Sequence, residues 1–302
     1  MANPHIAFLG IGLMGAPMTR NLLDAGFPMT LWNRTLGKCD PFRDRAAVAE
    51  TPADAAAGAD IVIAMLENGE AVEDVLVRRG VMDALGAGTV VIDMSSVQPS
   101  VARRHAQLAL EKGAGYLDAP VSGGTRGAEA GALSIMAGGA VADLEAAAAV
   151  LATLGKVTHI GPVGAGQLAK LANQAIVGVT IGAVSEALLL AAQGGADPEA
   201  VREALLGGFA GSRILEQHGQ RMIDRDFAPG APARIQLKDL TMILDEARAE
   251  GLTLPLAQQA HNSFLSLVAN GHADVDHSGL LLELEHLNGA RLAGGPRSAE
   301  KA

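Results

Sequence analysis

The stretch His5-Ile6-Ala7-Phe8-Leu9-Gly10-Ile11-Gly12-Leu13-Met14-Gly15 reads as an apolar strand that turns through glycines into a helix. In such a G-x-G-x-x-G turn the first glycine permits the tight bend and the second lets backbone approach a pyrophosphate. The third allows close helix–strand packing, and the helix N-terminus offers its unpaired N–H groups to the anion. Gly10, Gly12 and Gly15, with Leu13 and Met14 between them, are therefore candidate dinucleotide ligands. Glycine-rich turns are common on their own. This one gains weight from its flanks, because it opens the first strand–helix–strand unit.

Outward from that turn, short β-branched runs alternate with alanine-rich helical patterns. Strands are expected at 5–9, 29–33, 61–65, 90–94, 115–118, 133–137 and 157–160, with helices such as 14–25, 99–112 and 142–154. This alternation implies a parallel, doubly wound sheet covered on both faces. After Gly161-Pro162 only helical patterns follow. A long helix runs from Gly166 to about Gln193, and Asp197-Pro198 supplies an N-cap with proline in the first turn. Ser212, Pro255 and Asp276 start further helices, the last reaching about His286. The expected fold is an α/β Rossmann domain over 1–163 and an all-helical domain over 164–290, joined by the long interdomain helix. The Gly/Pro/charge-rich tail 291–302 is expected to be disordered.

Composition narrows the partners. The 302 residues exceed the usual size of one domain, and 49% are apolar, enough for two full cores. A net charge of −10 with no basic run, and only 3% aromatics, argue against nucleic acid. Cys39 is the sole cysteine, so no disulfide closes within the chain and no cysteine metal site is expected. The N-terminus lacks the basic-then-apolar pattern of a signal peptide. The apolar stretch 175–192 carries Ser185 and Glu186, and a mid-span carboxylate is costly in lipid, so it reads as a protein-buried helix. These features point to a cytoplasmic protein with no membrane partner, and the apolar helix suits a homodimer or homotetramer.

The end of the second strand bears on cofactor choice. An NAD enzyme places an acidic residue there for the ribose 2′-OH. This chain has Asn33, Arg34 and Thr35 instead. An arginine stacks on adenine and pairs with a 2′-phosphate, and charge-assisted hydrogen bonds contribute about 1.5–3 kcal/mol each. NADP(H) is therefore favoured over NAD(H), against the plainer reading of a solvated loop arginine.

Three further segments carry chemistry: Asp118-Ala119-Pro120-Val121-Ser122-Gly123-Gly124 at a strand's end, Gly164-Ala165-Gly166-Gln167-Leu168-Ala169-Lys170-Leu171-Ala172-Asn173 opening the long helix, and Lys238-Asp239-Leu240. Lys170 and Asn173 share one helix face, with Gln174 beside them. A lysine whose pKa is lowered by burial serves as general acid. Ser122 with the N–H groups of Gly123 and Gly124 is fitted to hold a carboxylate. Singly, a helical lysine is most often a solvated charge and Ser-Gly-Gly an ordinary turn. Their joint presence at domain-scale spacing changes that balance.

With these motifs in order, the chain resembles the β-hydroxyacid dehydrogenase family over nearly its whole length, to about Gly289. The family includes 3-hydroxyisobutyrate dehydrogenase and tartronate semialdehyde (2-hydroxy-3-oxopropionate) reductase. Its cofactor fingerprint matches residues 10–15 and continues through Pro17, Met18 and Asn21. Its substrate motif matches 118–124 and its catalytic motif 164–173, which puts the family's essential lysine at Lys170. The resemblance implies a cleft between the two domains, cofactor contacts at Met65, Leu66, Ser96 and Lys238, and hydride exchange between NADP(H) and a small β-hydroxyacid or β-aldehyde carboxylate. Asp276-His277-Ser278 is similar to the ending of tartronate semialdehyde reductases, which tilts the substrate that way. 3-Hydroxyisobutyrate dehydrogenase and succinic semialdehyde reductase activities are the alternatives. The chain departs from the family at Glu67, where proline is usual, at Gln174, where a second asparagine is common, and at Ala231, where an aromatic is common.

Rival readings rest on fewer residues. His272, Asp274, Asp276 and His277 resemble metal ligands, but Asp276 suits an N-cap, and no metal is expected. Val121-Ser122-Gly123-Gly124 is not the Gly-x-Ser-x-Gly elbow of a serine hydrolase. Imine reductases share the expected fold but commonly lack the lysine present here as Lys170. A non-catalytic dinucleotide-sensing module is the reading from another class, and Lys170, Asn173 and Lys238 speak against it.

Overall fold

A computed structural model describes residues 3–292. The tail anticipated at 291–302 lies outside the described residues except for Arg291 and Leu292. Leu292 is buried, and its N–H donates to the Glu285 carboxylate at 2.6 Å.

The chain forms two compact units, Met1–Lys170 and Leu171–Ala302. The division falls inside the long helix Ala165–Gln193, between Lys170 and Leu171. The reason is local. Asp118 accepts the N–H groups of Gly164 and Gln167, each at 2.8 Å, and a Cβ at Gly166 would lie 2.3 Å from the Met136 carbonyl. The helix start is thus seated against the sheet.

The first unit is built on β1 (Ile6–Leu9), β2 (Met29–Trp32), β3 (Ala47–Val48), β4 (Ile61–Ala64), β5 (Val90–Asp93), β6 (Gly115–Asp118), β7 (Val121–Ser122), β8 (Leu133–Gly138) and β9 (Gly155–Gly161). Their order is β3-β2-β1-β4-β5-β6-β8-β7, with β9 beside β8. Alternate strand residues feed opposite faces. Ile6, Phe8, Leu31, Ile63 and Ile92 enter one core, while Ala7, Leu9, Trp32, Val62 and Val91 enter the other. That period of two, apolar on both sides, is what a doubly wound sheet demands.

The strands from β3 through β6 are parallel, whereas β8 runs antiparallel to β6 and to β7. The 123–132 connection is shorter than the dozen or so residues of a parallel crossover, so the chain must reverse. The helix Val141–Leu154 then supplies a full crossover, and β9 pairs parallel with β8.

The second unit is helical among its described residues: the remainder of the long helix, then Pro198–Leu206, a helical run at 213–224, Ala233–Ala249, Pro255–Ala269 and Leu280–Asn288. The anticipated caps are formed. Asp197 accepts from the Glu199 N–H, Ser212 from Leu215 and Asp276 from Ser278. Ile181, Val184 and Leu188 of the long helix pack with Leu240, Ile243, Phe264 and Leu280. The helix is long and apolar enough to cross a membrane, yet 33% of its most apolar stretch is already buried in this one chain, and Glu186 is exposed.

Candidate active site

In the first unit the candidate residues sit where successive strands end. The glycine turn follows β1, Asn33, Arg34 and Thr35 follow β2, Met65 and Leu66 follow β4, Ser96 follows β5, and Ser122 closes β7. Ligands of open α/β sheets bind at this edge, where the strand order reverses between β1 and β4.

Each glycine of the first turn has a distinct reason to be glycine. Gly10 has φ +110°, and a Cβ there would lie 2.3 Å from the Met65 carbonyl. At Gly15 a Cβ would lie 1.9 Å from the Gly10 carbonyl, so the helix Gly15–Asp24 could not start where it does. A Cβ on Gly12 would meet nothing within 4 Å, so that face of the turn is open to a ligand. Leu13, 69% exposed, and half-buried Met14 complete the turn. The Asn33 carboxamide accepts from the Ile11 N–H at 2.9 Å and donates to the Thr35 carbonyl at 2.9 Å, tying the turn to the end of β2. Arg34 is exposed and has no ion pair among the described residues, which leaves its guanidinium available to a phosphate. Asn21 of the fingerprint donates to the Ala128 carbonyl at 2.7 Å.

The region after β5 and β6 is densely bonded. Leu66 N–H donates to Ser95 Oγ at 3.0 Å, and Ser95 N–H donates to Asp93 at 3.0 Å. Burial pushes the Asp93 carboxyl up to about 6, against bonds from Ser95 and Tyr116 that favour its ionised form. Burial likewise raises Asp118, opposed by the N–H groups of Gly164 and Gln167. Gln167 is 1% exposed; its amide donates to the Ser95 carbonyl at 2.9 Å and accepts from the Val97 N–H at 3.1 Å. One turn further, the Lys170 ammonium donates to the Val121 carbonyl at 2.8 Å and is 9% exposed. The structure thus brings Lys170 to the residue directly before Ser122. Gly123 and Gly124, at φ +135° and +60°, adopt left-handed conformations that a side chain would strain.

In the second unit, half-buried Asn173 donates to Gln174 at 2.8 Å, and Gln174 donates to buried Asp239 at 2.5 Å. Lys238 pairs with Asp239 at 3.1 Å. Gln174, where the family often has asparagine, is thus committed to the Lys238-Asp239 segment.

The residues that resemble metal ligands divide, Asp274 standing apart from Asp276 and His277. Asp274 pairs with Arg234, while Asp276 and His277 meet His218, their ligand atoms lying within 4.8 Å of one another. Asp276 is already engaged by Gly230, Ala231, Ser278 and Arg221. Burial would raise its carboxyl, but His218, His277 and these donors hold it well below the usual range. It anchors the 227–231 turn as a fully bonded carboxylate.

Sequence reasoning passed over Gln167 and the helix-capping role of Asp118. The signal was present, since a glutamine three residues before Lys170 shares its helix face.

A nine-stranded sheet in this order, with a glycine turn open at Gly12, defines a Rossmann dinucleotide-binding protein. Residues 5–161 match the NAD binding domain of 6-phosphogluconate dehydrogenase, and residues 164–284 match the NAD-binding domain of NADP-dependent 3-hydroxyisobutyrate dehydrogenase. The chain is 44% identical over 292 residues to 2-hydroxy-3-oxopropionate reductase of Escherichia coli, covering 95% of this chain and 99% of the relative. It is 38% identical to a probable 3-hydroxyisobutyrate dehydrogenase-like mitochondrial protein of Arabidopsis thaliana, over 95% of this chain and 87% of that one. The solved 3-hydroxyisobutyrate dehydrogenase of Mycobacterium tuberculosis with L-serine superposes with a TM-score of 0.85 at 33% identity, covering 94% and 99% of the two chains. The chain belongs to the β-hydroxyacid dehydrogenase family and is an NAD(P)-dependent oxidoreductase.

Proposed function

We propose that the chain reduces tartronate semialdehyde (2-hydroxy-3-oxopropionate) with NADPH, Lys170 acting as the general acid. The observation that carries this reading is the seat of Lys170: a buried ammonium bonded to Val121, the residue before the 122–124 turn. A proton donor and a carboxylate-sized set of donors are thereby neighbours. The choice of substrate is supported by the Escherichia coli relative and by the Asp276-His277-Ser278 ending.

The residues present fit a dinucleotide, since the turn is open at Gly12 and Arg34 has no competing ion pair among the described residues. Gly10, Gly12 and Gly15 with Leu13 and Met14 would cradle the pyrophosphate, and Arg34 with Asn33 and Thr35 the 2′-phosphate. Met65, Leu66 and Ser96 would line the nicotinamide end. When bound, the reduced cofactor supplies the hydride. The Ser122 hydroxyl and the N–H groups of Gly123 and Gly124 fix the substrate carboxylate. Lys170 gives a proton to the aldehyde oxygen as negative charge develops there, yielding the alcohol; in reverse it accepts that proton. Asn173 holds the substrate or orients Lys170. Ile176 and Leu190 of the long helix, 69% and 76% exposed, support assembly into a homodimer or homotetramer.

The test is kcat/KM for tartronate, methylmalonate and succinate semialdehydes, each with NADPH and NADH. The highest value is expected for tartronate semialdehyde with NADPH. Preference for methylmalonate semialdehyde would instead mean a 3-hydroxyisobutyrate dehydrogenase, and cofactor binding without turnover of any aldehyde would mean a sensing module.

A further inference from the structure

We infer that Gln167 is a positioning residue, holding the segment around Ser96 in register with the helix turn that carries Lys170. The inference rests on the reading of Lys170 as general acid. The two Gln167 side-chain bonds fall on Ser95 and Val97, one on each side of Ser96. One bond uses the amide as donor, the other as acceptor, and a carboxamide is a natural side chain of this length to do both at neutral pH. Gln167 is 1% exposed, so no water replaces either partner.

The same residue is fixed from behind. Its own N–H donates to Asp118 Oδ2 at 2.8 Å, while Gly164 donates to Oδ1 at 2.8 Å. A Cβ on Gly138 would lie 2.7 Å from the Gly166 N, so the helix start cannot slide towards the sheet. Ser95 is fixed in turn, with its N–H on Asp93 and its hydroxyl accepting from Leu66. Gln167 therefore joins two rigid pieces, one ending in Ser96 and the other carrying Lys170 one turn on. Hydride and proton reach neighbouring atoms of one carbonyl, so their donors must keep a constant separation. A displacement of about 1 Å costs on the order of 100-fold in rate.

The test uses Gln167→Met, which keeps the bulk and loses the donor, and Gln167→Glu. When protonated, the glutamic acid offers an O–H to Ser95 and a carbonyl to Val97; when ionised it has no donor. Burial and the adjacent carboxylate of Asp118 disfavour ionisation, while the Lys170 ammonium one turn away favours it; Asp93 is the other carboxylate facing this segment. Single-turnover NADPH oxidation would be measured with tartronate semialdehyde, or with the best aldehyde of the panel, alongside NADPH affinity by fluorescence titration. For Gln167→Met the expected result is a hydride-transfer rate lowered about 10–100-fold, with NADPH affinity and KM within about threefold of wild type. The rate of Gln167→Glu relative to wild type should rise as pH falls. A folded Gln167→Met enzyme with the wild-type rate overturns the inference, as does a Gln167→Glu profile parallel to wild type. Lys170→Ala serves as the control. If it retains the wild-type single-turnover rate, the general-acid reading fails; if it is slow while Gln167→Met is not, only the positioning role fails.

Discussion

Asp93→Asn should remove a pH dependence of stability that the wild-type chain carries. Asp93 ends β5 with its side chain fully buried, bonded to the Ser95 N–H and the Tyr116 hydroxyl and with no ion pair among the described residues. Burial, the largest influence, raises its carboxyl from 3.8 to about 6. A folded pKa above the unfolded one means the folded state holds the proton more tightly. The stabilisation is therefore complete below the unfolded value and is lost as pH rises through about 6. Integrating that shift gives on the order of 1 kcal/mol more stability at pH 5 than at pH 7.5, and roughly 3 kcal/mol across the whole titration. Other groups pull the opposite way. Burial lowers His105, and the Arg104 bond leads in holding Glu73 at about 2, so both lose stabilisation on acidification. They are common to wild type and variant and cancel in the difference. The assay is urea unfolding of both proteins between pH 5 and 7.5, followed by Trp32 fluorescence. Trp32 is the only tryptophan, is 3% exposed and lies in β2 of the same unit. If the stability difference between wild type and variant is flat over this range, or grows with pH in favour of wild type, the assignment of a raised Asp93 is refuted.

Lys170→Ala should lower kcat about 10²–10⁴-fold, or about 3–5 kcal/mol of transition-state stabilisation, and Lys170→Arg should not rescue it because a guanidinium keeps its proton. A folded Lys170→Ala enzyme with a near-normal single-turnover rate counts against that role. Arg34→Ala should weaken NADPH about tenfold or more and leave NADH nearly unchanged, read as kcat/KM for each cofactor; an equal loss of both removes the 2′-phosphate assignment. Gly12→Val should leave the melting temperature of the cofactor-free protein nearly unchanged, since its Cβ meets nothing within 4 Å, while NADPH affinity falls at least about tenfold. Unaltered affinity would mean that the cofactor backbone does not pass this turn.

How much of the fold was legible depended on whether the signal was local. β1, β2, β4, β5 and β6 are apolar runs buried on both faces, and they stand where the pattern put them. The caps at Asp197, Ser212 and Asp276 are short-range hydrogen bonds, readable because their geometry spans two or three residues. The antiparallel turn of β7 and β8 was missed for the opposite reason. Val121-Ser122 is too short to show a period, and the direction of β8 after it is set by the length of the 123–132 connection rather than by composition. The two-residue β3 escaped notice for the same want of length.

The candidate site divides along the same line. Glycines, Lys170 and the 122–124 turn announce themselves because each residue type is chemically distinctive in its setting. Gln167 does not, because a glutamine in a helix is ordinary until its partners are known, and those partners lie some seventy positions away at Ser95 and Val97. The same holds for Asp118. Its sequence context suggests a strand end near substrate, whereas both its oxygens are committed to the first turn of the long helix. Such residues explain why the motif from Gly164 to Asn173 and the motif from Asp118 to Gly124 must occur together. One supplies the carboxylate that fixes the helix start and the carbonyl that receives the Lys170 ammonium. The other supplies the N–H groups and the lysine that those acceptors require. Neither segment would keep its geometry without its counterpart, so the pairing of the two motifs in one chain is a mechanical requirement as well as a chemical one.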